Sequence, residues 1–389
     1  MGTSSVTSRA IIEGILSEAD ISVNGPQAWD LQVHEQAFFD RVLSEGALGL
    51  GESYMEGWWD VDDLFAFFVR LLSCPAVQDR KNVGWRTALV LLKAKLLNLQ
   101  TRQQARAMAD HHYNLSNELF EQMLGSSLAY SCGYWDNAES LDAAQSSKYD
   151  LVCRKLDLQR GERLLDIGCG WGGFAKHAAE NYGVEVVGIS VANEQIRYAR
   201  DLCRNLPVEF VECDYRELDQ AGYSGSFDKV ASIGMIEHVG ASNYRIMCKN
   251  VFAALRPHGL FLLHSIGSAT SERAGDTWLT TYIFPGAVAP SMRQLSEATE
   301  VFFVLHDVQN IGVNYAPTLR AWHENFDAYW KSLTPEKPKP KVWGSEETFY
   351  RMWRYYLLSC AANFSVGGSQ VWQLVYAKGH LSSGYRRPA

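Results

Sequence analysis

The stretch "AYSCGYW" (residues 129–135) sets Cys132 among Tyr130, Tyr134 and Trp135, with no second cysteine nearby. A thiol in aromatic company can be a nucleophile, a metal ligand, a redox centre or part of a pocket wall. A second concentration of unusual residues is "LDIGCGWGG" (165–173), where Asp166 stands just ahead of Gly168 and Gly170 at the end of an apolar run. Glycines after a strand let a ligand approach the backbone, and the helix that follows opens on its positive end. The spacing G-x-G-x-G-G is not the dinucleotide fingerprint, and the loop lacks the Lys and Ser/Thr of a phosphate cradle. A short acidic turn instead suits S-adenosylmethionine, whose sulfonium and amino groups are cationic. Further on, "CDYREL" supplies Asp214 and Tyr215 to hold and cover an adenine ring. The place where an acid often binds the ribose reads Ile189-Ser190, and Gln195 in the following turn is the substitute.

Three more sites fall at the carboxyl ends of β-rich runs, where ligands bind in open α/β sheets. "SIGMIEHVG" brings Glu237 and His238, "LFLLHSIGS" brings His264 and Ile266, and "NIGVNYAPT" brings Tyr315. One such His or Tyr is often only packing; the convergence of three strand ends is what points to function. His238, next to Glu237 at a strand-to-helix turn, reads as structural. Cysteine, glutamate, histidine and tyrosine together can hold a small oxyacid ion, with the glutamate accepting its remaining proton. There is no nucleophile elbow and no HExxH or other dense ligand cluster, so no metal is expected.

The elements that must position these residues are legible from periodicity. From about residue 160, "RLLDIG", "VEVVGIS", "VEFVEC", "FDKVASIG", "LFLLHSI", "FFVLHDV" and "VWQLVYAKG" alternate with helical stretches. The pattern predicts a parallel sheet covered on both faces. Seven strands ending in a pair without a clear crossover helix suit the fold class α/β, a Rossmann-like seven-stranded class I methyltransferase fold, in which the last strand inserts antiparallel, here with an N-terminal, mostly helical domain. The expected domains are 1–105 and 106–389. In the first, "AIIEGIL", "FFDRVL" and "DLFAFFVRLL" read as helices, and "GALGLGESYMEGWWD" as a turn packed by bulky aromatics. "SLTPEKPKPKVW" reads as a surface loop.

With 389 residues, 47% of them hydrophobic, the chain can bury a large core. A net charge of -8 argues against nucleic acid as a partner. Eight scattered cysteines fit reduced thiols in a cytoplasmic protein. No secretory signal and no bilayer-spanning run is read, which leaves attachment to a membrane surface open. Arg80 to Arg106 carries seven basic residues and no acidic one. It reads either as an interdomain helix with a solvated basic side or as a surface resting on anionic lipid.

The chain resembles the bacterial cyclopropane-fatty-acyl-phospholipid synthases over nearly its whole length. The resemblance rests on "GLGESYMEGWW", "HYNLSNELF", "YSCGYW", "LDIGCGWGG", "MIEHVG", "LLHSIGS" and "IFPGAVAPSMRQ", in that order. It implies methyl transfer from S-adenosylmethionine to a cis double bond of a phospholipid acyl chain, then loss of a proton to close a ring. It further implies a bound bicarbonate ion as base, held by Cys132, Glu237, His264, the backbone of Ile266 and Tyr315. Cofactor contacts carried over are Tyr130, Ser131, Gly168, Gly170, Ser190, Gln195, Asp214 and Tyr215. Tyr134, Trp135 and Tyr315 would wall a carbocation. The expected partner is the inner face of a phospholipid bilayer, bound peripherally, and the expected assembly is a homodimer. Departures from the family are Ile236, where many members have an aromatic residue, and Ser190, where threonine is common.

Overall fold

A computed structural model describes residues 3–78, 117–271, 275–334 and 345–388. The basic run Arg80–Arg106, the expected cut at 105/106 and most of the Pro/Lys-rich loop lie outside them. The chain forms two compact units: Met1–Lys93 with Ala274–Pro285 and Ala316–Gly368, and Ala94–Arg273 with Gly286–Tyr315 and Ser369–Ala389. This grouping differs from a single cut at 105/106. The N-terminal helices pack partly on one another and, through Ala47–Met55 and Leu64–Ser73, on the helix Glu346–Ser365 from the second half of the chain.

In the helical unit, the helix Leu64–Ser73 starts on Asp63, whose carboxylate accepts from the Ala66 N–H at 2.9 Å. Its i, i+3, i+4 face buries Leu64, Phe67 and Phe68. It packs on the long helix Glu346–Ser365, capped by Ser345 and carrying Glu346 and Glu347 in its first turn, where they favour the positive helix end. From that helix Arg351 reaches three partners: the Tyr54 carbonyl at 2.5 Å, the Trp59 carbonyl at 2.8 Å and Asp60 Oδ1 at 2.8 Å.

The glycine-rich stretch before Trp58 is not a turn. Ala47–Met55 is a helix, and its glycines serve close packing. A Cβ on Gly51 would lie 2.3 Å from the Trp278 ring, and one on Gly49 would lie 2.7 Å from the Arg41 carbonyl. The short strands β1 (Gln32–Val33) and β2 (Trp59–Asp60) pair antiparallel beside it.

The other unit is built on β3 (Arg163–Ile167), β4 (Glu185–Ser190), β5 (Val208–Glu212), β6 (Phe227–Ile233), β7 (Leu255–Gly267), β8 (Val304–Asn310) and β9 (Gln370–Ala377). Their order is β5-β4-β3-β6-β7-β9-β8, with β9 antiparallel to both neighbours and the five strands β3 to β7 mutually parallel. All seven expected strands are present, and the last is inserted antiparallel as read. The parallel strands are apolar on both faces because helices cover both. Leu165, Val187 and Phe261 belong to one core cluster, while Leu164, Val186, Leu262 and Val375 belong to the other. The helix Leu141–Lys155 covers the second face through Tyr149, Val152 and Cys153.

Candidate active site

At the end of β3 the chain turns through Gly168, Gly170 and Gly172, with φ of 82°, 53° and 87°. These are left-handed conformations that favour glycine. The Gly168 and Cys169 N–H groups donate to the Ile189 carbonyl at 2.9 and 3.1 Å, fixing the loop against β4. The helix Gly173–Tyr182 follows directly. A Cβ on Gly168 would lie 2.8 Å from Met235 Cγ, and one on Gly173 would lie 2.3 Å from the Ser127 carbonyl. Gly170 instead faces open space, so there the backbone is bare toward a ligand.

Asp166 precedes this loop, is 2% exposed, and its Oδ2 has no hydrogen-bond partner among the described residues. Burial pushes its carboxyl up to about 7, and Lys148 pulls in the opposite direction. An unpartnered buried carboxylate oxygen beside a bare glycine fits a cationic ligand. Ser190 closes β4, its hydroxyl accepting from the Ala192 N–H at 3.2 Å. Gln195 is buried in the first turn of the helix Asn193–Leu202. Tyr215 is buried, with the Arg216 guanidinium 4.8 Å from its ring centroid. Asp214 is committed locally, accepting from the Arg216 N–H at 2.9 Å and pairing with its guanidinium at 2.9 Å.

The strand ends supply the second half. Beyond β6, the short 3₁₀ turn Ile236–His238 presents Glu237. Its Oε1 accepts from the Ile266 N–H at 2.6 Å, and its Oε2 has no hydrogen-bond partner among the described residues. Burial pushes this carboxyl up to about 7, with the Ile266 amide and Ser265 hydroxyl opposing. The Ile266 amide is therefore engaged by Glu237, not open to an ion. His264, two residues back on the same side of β7, is 2% exposed and 3.3 Å from Gln373 through Nδ1. Burial, with Lys148 and Lys155 adding to it, holds its imidazole well below the usual range, so it is neutral. His238 is held down to about 4 by burial alone, in keeping with a structural role. Ile236, at 1% exposure, belongs to one of the core clusters.

Cys132 has no exposed surface. Its thiol points to the Gly133 carbonyl at 3.2 Å and the Ile311 carbonyl at 4.0 Å. The neighbouring Trp135 N–H donates to Asn314 Oδ1 at 2.8 Å, and Asn314 Nδ2 donates to the Ile311 carbonyl at 3.0 Å. The aromatic stretch is thereby tied to the turn Gly312–Asn314, after which Tyr315 opens its helix, 7% exposed. Ile311 in turn donates to the Val371 carbonyl at 2.8 Å, and Val371 is the register partner of Ile266. One connected framework thus carries Cys132, Tyr315, Ile266 and Glu237, with His264 two residues along β7. Tyr130 packs edge-on against Phe120, with ring centroids 5.6 Å apart.

Lys148, Gln145 and Asn314 were not singled out from sequence. Both Gln145 and Lys148 are fully buried. Their signal was periodicity: Leu141, Gln145, Lys148, Val152 and Lys155 form one helical stripe, and polar residues on a buried stripe call for partners.

The strand order and the glycine loop after the first parallel strand are those of a class I S-adenosylmethionine-dependent methyltransferase. Residues 100–374 match the family model described as mycolic acid cyclopropane synthetase. The chain is 41% identical to the cyclopropane-fatty-acyl-phospholipid synthase of Escherichia coli K12 over 369 residues, 95% of this chain and 93% of that one. A probable fatty acid methyltransferase of Pseudomonas putida is 36% identical, covering 72% of each chain. The crystal structure of mycolic acid cyclopropane synthase CmaA1 with SAH and CTAB superposes with a TM-score of 0.61 at 29% identity, covering 70% of this chain and 98% of that one. The chain belongs to the mycolic acid cyclopropane synthetase family.

Proposed function

We propose that this chain is a cyclopropane-fatty-acyl-phospholipid synthase, converting a cis double bond of a phospholipid acyl chain into a cyclopropane ring. The observation that carries the reading is Glu237: a buried carboxyl with one oxygen held by the amide of Ile266, two residues from His264 on β7, and the other without a hydrogen-bond partner among the described residues. A methyltransferase acting on an amine has no need of the Cys132, Glu237, His264 and Tyr315 set as a whole. Similarity to the Escherichia coli enzyme over 95% of the chain supports the same substrate class.

Asp166, the open face of Gly170, Ser190, Gln195 and Tyr215 would hold S-adenosylmethionine, which supplies an electrophilic methyl group. Asp214 contributes through its pairing with Arg216. An alkene is a weak nucleophile, so the chain's task is to hold it at near-attack distance in an apolar enclosure. Tyr134, Trp135 and Tyr315 offer ring faces to positive charge developing on the acyl chain, each worth ~0.5–2 kcal/mol.

Closing the ring requires loss of a proton, and a bicarbonate ion, a general base when bound, fits the donor set. Cys132, the neutral His264 and Tyr315 would offer it polar hydrogens, and Glu237 Oε2 would be the acceptor its hydroxyl requires. Ile266 then acts by orienting Glu237. The expected surface is a bilayer of unsaturated phospholipid, contacted peripherally.

The test is proton NMR of lipid extracted after incubating the protein with S-adenosylmethionine and cis-unsaturated phospholipid vesicles. Far-upfield ring-proton signals are expected. New vinyl or branched-methyl signals would overturn ring closure and favour a fatty-acyl methyltransferase, the reading that the Pseudomonas putida relative's name supports. Unchanged lipid would overturn both.

A further inference from the structure

The helix Leu141–Lys155 carries a residue that neither the glycine loop nor the strand ends account for. Lys148 has no exposed surface, and a buried ammonium is costly unless paired. Its Nζ donates to Ser131 Oγ at 2.8 Å and lies 4.2 Å from the centroid of the Tyr149 ring. One turn earlier, Gln145 Nε2 donates to the Ser131 carbonyl at 2.9 Å and the Ala129 carbonyl at 3.4 Å. Two side chains on one helix face therefore grip Ser131 by its hydroxyl and by its carbonyl. They hold the segment that runs through Tyr130 and Cys132.

Asp166 points to the same side of the sheet. It is two residues from Leu164 on β3, and Leu164 packs in the cluster that the helix Leu141–Lys155 covers. Its Oδ2 has no hydrogen-bond partner among the described residues. Packing alone at position 148 would be served as well or better by an apolar residue of similar volume. A cation there has a purpose if it holds something in place.

We propose that Lys148 is a positioning residue, fixing the Tyr130–Cys132 segment through the Ser131 hydroxyl and standing as counter-charge to Asp166 at the cofactor loop. Asp166 and Cys132 favour the charged form of Lys148, which in turn disfavours the charged forms of His177 and His264. Lys148 favours the charged form of Asp166, which in turn pushes Tyr149, Cys153 and Cys169 up. Among all of these, Lys148 is the group that favours the carboxylate form of Asp166. Burial pulls Lys148 itself down to about 7, so the pair titrates as a unit near neutrality.

The proposal rests on the assignment of the loop to S-adenosylmethionine, so the test is calorimetric binding of that cofactor from about pH 5.5 to about pH 9. Four full-length chains are compared: wild type, Lys148→Met, Ser131→Ala and the double variant. Wild-type affinity should rise with pH as the buried pair titrates. Lys148→Met should bind about ten-fold or more weakly at neutral pH and move the midpoint upward, because Asp166 loses its counter-charge. Ser131→Ala should weaken binding without moving the midpoint, and the two losses should not add in the double variant. If Lys148→Met fails to fold, Lys148→Gln, which keeps a donor but no charge, must still move the midpoint. An unmoved midpoint with wild-type affinity overturns the proposal, as does a variant altered only in melting temperature. A wild-type chain that binds no S-adenosylmethionine removes the cofactor assignment and this proposal with it, whereas normal wild-type binding with unshifted variants removes this proposal alone.

Discussion

Glu237 sits where its chemistry and its stability effect can be separated. Its carboxyl is pushed up from 4.5 to about 7 by burial, so between those values the folded chain binds a proton that the unfolded chain does not. Stability from this group is fully present below 4.5 and is lost as pH rises through about 7, amounting to ~3 kcal/mol across the window. Glu237→Gln keeps an oxygen for the Ile266 amide and removes the titration. The variant should make no cyclopropane product, bind S-adenosylmethionine with nearly wild-type affinity, and gain melting temperature relative to wild type as pH rises from about 5 to about 8. Thermal melts at both ends of that range check the sign; a difference that does not change with pH removes Glu237 as the responsible group. Glu237 and His264 were legible in sequence because they end apolar strands. Lys148 was not, since its meaning depends on Ser131, seventeen positions away and brought close only by folding.

Among the elements, the glycine loop separates conformation from ligand access. Gly170 and Gly173 both sit in "GCGWGG", yet only Gly173 is crowded, against the Ser127 carbonyl. Gly173→Ala should cost roughly 1–3 kcal/mol of stability, because a backbone carbonyl cannot swing away as a side chain can. Gly170→Ala should melt close to wild type, with about 1 kcal/mol of left-handed backbone strain, but should lose S-adenosylmethionine affinity at least ten-fold. Melting curves and calorimetry on the two variants distinguish them; equal behaviour would mean that the open face at Gly170 is not where the cofactor lies. The strands were readable because a parallel sheet buried on both sides demands continuous apolar runs. The helix Ala47–Met55 was misread as a turn because its glycines looked like breakers. Two of them, Gly49 and Gly51, are instead sites of close approach, which one-dimensional spacing does not reveal.

For the whole molecule, a chain of net charge -8 must still meet a bilayer surface if its substrate is a phospholipid. Among the described residues no helix is long and apolar enough to cross a membrane. The run Arg80–Arg106, with seven basic residues and no acidic one, is the candidate contact. Each basic residue near an anionic surface contributes about 1 kcal/mol. Vesicle co-sedimentation should therefore require anionic lipid and weaken steeply between about 0.05 and about 0.5 M salt, as the screening length contracts. Salt-independent binding would point to apolar insertion. The short strands β1 and β2 were not foreseen, and the antiparallel insertion of the last strand of the large sheet followed from the fold class that its pattern suits. The seven strands of that sheet followed from the sequence alone, since hydrophobic periodicity is a local property of consecutive residues. The placement of Glu237, His264 and Asp166 beside strand ends followed for the same reason. Which segments make up the helical unit did not, because Ala274–Pro285 and Ala316–Gly368 are inserted between strands of the sheet and join the N-terminal helices only through packing. Nor did the grip of Lys148 and Gln145 on Ser131, or the engagement of Ile266 by Glu237. Hydrogen bonds between residues distant in sequence exist only once the tertiary structure has brought donor and acceptor together and excluded water.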